Sequence, residues 1–166
     1  MELELHQALV SEIRTKLPEI KTIALFNNQF IHSNGTLQDE NSFLYPCVFL
    51  QYSQGNFIDL SQGVQQYELT ITSHLGFESY KTEDLDVLRL KQDLYKVIQR
   101  FRNENLSRLT RVSERQDFDH DNIQVYLTDY LTTGKDFDRD IRPTYQVSPS
   151  LILSATTITL SGLTMN

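Results

Sequence analysis

One stretch limits the choice of fold more than any other. Between residues 83 and 102, Val87, Leu90, Leu94, Val97, Ile98 and Phe101 fall at helical spacing and form a single apolar stripe. Glu83, Asp84 and Asp86 stand near its start and Lys96, Arg100 and Arg102 toward its end, the order that the helix dipole favours. Thr82 occupies the position of an N-cap. A helix with its apolar groups on one side needs a surface to cover them. The chain supplies period-two runs on both sides of it.

Upstream, Pro46 to Tyr52 places Val48, Leu50 and Tyr52 on one face and Cys47 and Phe49 on the other, so it reads as a central strand. Gln62 to Ser73 alternates Tyr67, Leu69 and Ile71 with Glu68, Thr70 and Thr72. Residues 53–61 join the two runs and read as the projecting tip of a hairpin. Downstream, Leu106 to Val112 and Asn122 to Leu131 read as two more strands, joined by the acidic turn Asp117 to Asn122. Near the N-terminus, Leu5, Leu9, Ile13 and Leu17 mark a helix over residues 3–17 that Pro18 stops. Ile20 to Phe26 reads as a short strand and Asn27 to Ser42 as a loop. Residues 133–150 are polar, with Gly134, Pro143 and Pro149, and read as an extended arm; Leu151 to Leu163 is a Thr- and Ser-rich strand signal.

This order predicts an α+β fold: a mostly antiparallel sheet of four to five strands, with an N-terminal helix and one long helix packed on it. A length of 166 residues, of which 39% are hydrophobic, suits one domain with a usable core. The expected division is a single domain over 1–132, followed by an arm and C-terminal strand over 133–166. No apolar run is long enough for a bilayer, so no membrane is expected among the partners. The start Met1-Glu2-Leu3-Glu4-Leu5 is acidic where a signal peptide is basic, which speaks against secretion by that route. A formal net charge of −7 argues against ordinary nucleic-acid binding, which needs Lys and Arg on phosphates.

Few residues suggest chemistry. Cys47 is the one cysteine and sits in an apolar run, so an inert buried thiol is expected. The four histidines are scattered, without ligand spacing. Asp117, Asp119 and Asp121 match the first, third and fifth positions of a calcium loop, but Asn122 and Thr128 stand where Gly and Glu belong. Asp136, Asp138 and Asp140 repeat the spacing and fail the same way at Val147. No phosphate-cradling, nucleophile-elbow or zinc-protease motif is present. The expectation is no enzyme, no catalytic residue, no metal and no cofactor. Aromatic and aliphatic side chains in polar company suggest protein contacts instead: Phe57 and Ile58 at the hairpin tip, Tyr126 and Tyr130 on the polar-looking side of their strand, and Phe137, Ile141 and Tyr145 in the arm.

The order of elements — helix at Leu3–Leu17, hairpin at Pro46–Ser73, long helix at Glu83–Arg102, second hairpin at Leu106–Leu131 — resembles that of the tail-terminator, or tail-completion, proteins of long-tailed bacteriophages. The run Asp119-His120-Asp121-Asn122-Ile123-Gln124-Val125-Tyr126 is similar to the acidic turn and Tyr-bearing strand found in that family. The resemblance covers residues 1–135, and the extension beyond Thr133 departs from the family's compact pattern. It implies a structural virion protein, assembled in the host cytoplasm, that forms a homo-oligomeric ring, six subunits being the family expectation. Such a ring ends the tail tube and joins it to the head-side connector. Its partners are then other copies of itself, the tail-tube protein and a neck protein, with genome DNA passing through the lumen without specific binding. Another neck, head-completion or baseplate component, a bacterial interaction module and an enzyme without a recognisable motif are the alternatives.

Overall fold

The computed structural model describes residues 2–32, 43–61, 64–78, 83–118 and 122–137. The elements run α1 (Glu2–Lys16), β1 (Thr22–Leu25), α2 (Gln29–His32), β2 (Cys47–Ser61), β3 (Val64–Glu78), α3 (Asp84–Arg100), β4 (Thr110–Asp117) and β5 (Ile123–Phe137). They build an α+β domain on one five-stranded sheet of order β1-β2-β3-β5-β4. Three of its pairings are antiparallel; β1 lies parallel to β2.

The two long helices, α1 and α3, form where apolar spacing demands. Leu5, Leu9 and Ile13 of α1 and Val87, Leu90, Leu94 and Ile98 of α3 are buried against one side of the sheet, with Leu17 and Phe101 just beyond the helix ends. They meet Val48 and Leu50 of β2, Tyr67, Leu69, Ile71, Leu75 and Phe77 of β3, and Tyr130 of β5. Val97, expected in the stripe, is only partly buried. The residue capping α3 is Glu83, whose side chain makes no capping bond; Thr82 lies outside the described residues. Two contacts tie α3 to the edge strand β4: Lys91 pairs with Glu114 at 2.5 Å, and the Arg111 guanidinium lies 4.0 Å from the centre of the Tyr95 ring.

The opposite side of the sheet carries a second, smaller core of Phe30, Cys47, Phe49, Val125 and Leu127. Ala24, Phe26, Phe43, Tyr45 and Ile123 pack around it. Phe30 comes from α2, a short helix at the start of the segment expected to be loop. This second layer explains why β2 is apolar on both faces.

Three expectations are corrected by the length of the strands. Residues 53–61 are not a hairpin tip: β2 runs on to Ser61 and pairs with β3 as far as Val64. The left-handed backbone at Asn56, φ 51°, absorbs an irregularity that would otherwise end the strand. The arm does not begin at Thr133, because Thr133–Phe137 pair with Val64–Glu68 as the end of β5. The first strand of the second hairpin is Thr110–Asp117 rather than Leu106 to Val112; Leu106 makes only an isolated bridge to Gly134.

Candidate assembly interface

The two sides of the sheet end differently. β4 is one edge strand, exposed over most of its length and carrying Arg111, Glu114, Arg115 and Asp117. Its pairing with β5 shifts register between Arg111 and Ser113, leaving Val112 as an extra, 56% exposed residue. Charges and a bulge are the usual devices that keep an edge from pairing with another chain.

The β2 edge is also irregular, with register shifts between Gly55 and Ile58 and between Asp59 and Ser61, but it carries little charge. β1 covers it only at Cys47–Leu50, and a bond from the Phe26 amide to the Leu50 carbonyl at 2.9 Å extends the cover no further. Along residues 53–61 no strand pairs with the outer edge of β2 among the described residues. That stretch holds one charged residue, Asp59.

Within it the ladder steps from Gly55 opposite Glu68 to Ile58 opposite Gln66, so Asn56 and Phe57 together face Tyr67. The Asn56 amide donates to the Glu68 carboxylate, which holds the bulge. The extra residue resets the alternation. Phe57 turns toward the helix side, with its ring centre 5.9 Å from that of Tyr67, and Ile58 takes the opposite side with Gly55 and Glu68. Phe57 and Ile58 are each 55% exposed and Leu60 is 45% exposed. Three large apolar groups thus stand in water on both faces of one uncovered ribbon edge.

Phe57 and Ile58 are therefore accessible, as expected, though on a strand rather than a tip. Tyr130 is corrected: it is 1% exposed and belongs to the main core. Tyr126 is half-buried, edge-on to Phe77 at 6.3 Å, with the Lys91 ammonium 4.8 Å from its ring centre. Reading Ile123, Val125 and Leu127 as the covered face left the tyrosines on the solvent side; the helices cover the tyrosines, and the second core takes the other three. Phe137 closes β5 opposite Val64, while Ile141 and Tyr145 lie outside the described residues. Leu60 was missed, although its neighbours Phe57 and Ile58 were already conspicuous.

The titratable groups serve the structure. Burial, with the Arg115 charge, lowers the pKa of His74 to about 4, so the ring is neutral; it stacks on Phe26 at 3.8 Å and meets Gln51 Oε1 at 3.2 Å. Burial alone would raise Asp129, but bonds from Ser113, Thr72 and Arg115 outweigh it and lower its pKa. Thr72 Oγ1 and Arg115 Nη1 donate to it at 2.7 Å each, so both carboxylate oxygens are engaged across the sheet. Burial raises the Cys47 thiol, which is fully enclosed and chemically quiet. A shallow groove on α1 is lined by His6, Gln7, Val10, Ser11, Arg14, Thr15 and Ile23, with His6 Nδ1 3.1 Å from the Tyr52 hydroxyl. That lining holds no carboxylate, and the Thr15 hydroxyl donates to the Ser11 carbonyl at 2.8 Å. Among the described residues, no three His, Cys, Asp or Glu side chains gather as a metal site, and no helix is long and apolar enough to cross a membrane. Asp119, His120 and Asp121 of the acidic turn lie outside the described residues. No protein-family model matches the chain, and no curated protein matches it in sequence.

Proposed function

We propose that this chain is a non-enzymatic structural protein that assembles with copies of itself into a ring, acting as a tail terminator of a long-tailed phage. The observation that carries the reading is the outer edge of β2 at residues 53–61, which no strand covers among the described residues, with Phe57, Ile58 and Leu60 exposed along it. Met by a different surface of the next copy, an edge of this kind makes a head-to-tail contact. Repeated around an axis, such contacts close into a ring. The opposite edge, β4, is charged along its exposed length, which discourages unguided sheet growth there.

The order of elements that resembles tail-terminator proteins is present in the fold: N-terminal helix, long hairpin, long helix, second hairpin. A net charge of −7 suits a channel that DNA passes without adhering. Capping a tube needs shape and contact area, and the neutral His74, enclosed Cys47 and fully bonded Asp129 fit a role without turnover. The test uses the tail-tube protein that this reading expects in the same genome. Tubes polymerised with the chain present should stop at blunt ends bearing a ring, seen by negative-stain electron microscopy. Tube lengths and ends unchanged by a molar excess of the chain would overturn the tail-terminator role.

A further inference from the structure

We infer that the uncovered edge of β2 is completed by the C-terminal stretch 150–163 of a neighbouring copy, added as a strand along residues 53–61. This rests on the ring reading for the neighbour's part in it; the strand addition itself rests on four observations.

The first is where the chain leaves the domain. Phe137, the last residue of β5, pairs with Val64, and Val64 pairs with Ser61. The rest of the chain therefore departs from the end of the ribbon at which the uncovered β2 edge also ends. The second is length. Residues 138–149 reach on the order of 40 Å when extended, and adjacent strands lie about 4.8 Å apart. The stretch beyond them can thus lie along the β2 edge of an adjoining copy.

The third is composition. Residues 143–166 contain no Asp, Glu, Lys or Arg, in a chain that is 22% charged. Leu151-Ile152-Leu153 and Thr156-Thr157-Ile158-Thr159-Leu160 are rich in the β-branched and apolar residue types that favour strands. Such a stretch meets no charge on the β2 edge except Asp59. The fourth is how the exposed groups are placed: strand alternation sets Phe57 on the Tyr67 side and Ile58 on the other, so a flat surface docked on either face covers only one of them. A strand laid along the edge flanks both, because its own side chains alternate. Main-chain bonds then give affinity, and the apolar side chains fix register.

The test places the photo-crosslinking residue p-benzoylphenylalanine at position 57 of the full-length chain. This protein is assembled with an equal amount of 15N-labelled wild-type chain, irradiated and digested, and its mass in solution is read from the same sample. The expected result is a ring-sized particle in which position 57 is joined to a peptide within 150–163, with mixed isotopes in the joined pair. Joined pairs of one isotope only would show the strand to come from the same chain and overturn the exchange. A ring-sized particle with position 57 joined elsewhere would overturn the strand addition while leaving the ring reading standing. A monomeric mass would overturn the ring reading itself, and the neighbour's strand with it.

Discussion

Tyr67 lays the hydroxyl end of its ring over Gly134, its partner across the β3–β5 ladder, so that a Cβ at Gly134 would collide with the ring's Cζ and hydroxyl oxygen. Phe57 lies on the same Tyr67 from the neighbouring strand, which holds the ring in place. Three strands of the projecting ribbon are thus locked by one aromatic stack above one glycine. Replacing Gly134 with Ala should destabilise the domain by about 1–3 kcal/mol, the usual cost of forcing atoms into filled space. Gly55, with open space where its Cβ would go, is the control, and Gly55→Ala should shift stability by under about 0.5 kcal/mol. Urea denaturation of both variants gives the comparison; equal effects would contradict the stack.

Leu94 sits in the middle of the α3 stripe and is 3% exposed. Leu94→Ala should cost about 2–5 kcal/mol, the range for a buried leucine that leaves a cavity. A midpoint in urea indistinguishable from wild type would show that α3 does not anchor the sheet.

Acid should weaken the fold through His74. The folded state keeps the ring neutral, its pKa lowered by burial from 6.5 to about 4. The unfolded chain takes up a proton as pH falls through 6.5, so the stability held above that pH is lost between 6.5 and 4. The loss approaches about 3 kcal/mol at the lower end. His74→Gln should flatten this part of the curve of unfolding free energy against pH. A wild-type curve already flat from pH 7 to 4.5 would contradict the burial argument. Asp129 acts at lower pH: its depressed carboxyl pKa adds stability that is lost only as the group protonates.

Ile58 is 55% exposed and lies on the open ribbon edge. Ile58→Asp should leave the unfolding midpoint within about 0.5 kcal/mol of wild type while weakening self-association at least tenfold, since an added charge would enter the contact. Unchanged self-association would remove Ile58 from the interface.

What the residues revealed in advance follows from how many layers touch them. The α3 stripe, the α1 stripe and the two-faced apolar pattern of Cys47 to Tyr52 were legible, because burial imposes a period that only one structure satisfies. The long ends of β2 and β5 were not. Asn56 and Gly134 look like turn or arm residues, yet one carries a bulge and the other makes room for Tyr67, and both depend on a partner strand distant in sequence. β4 was shifted for the same reason: with nearly every side chain exposed, it has no alternation to mark it. Tyr130 was misplaced because a sheet covered on both sides has no solvent face to infer. Phe57 and Ile58 stood out correctly, as apolar groups in polar company, but only their place in a paired strand shows that they point apart.

The central claim is self-assembly, and the mass of the full-length chain in solution tests it most directly. One chain weighs 19.3 kDa. Size-exclusion chromatography with light scattering, at micromolar concentration and with the tail-tube protein both absent and present, should give a ring mass, six times that of one chain for the proposed tail-terminator ring. A mass of one chain in both conditions would contradict the account.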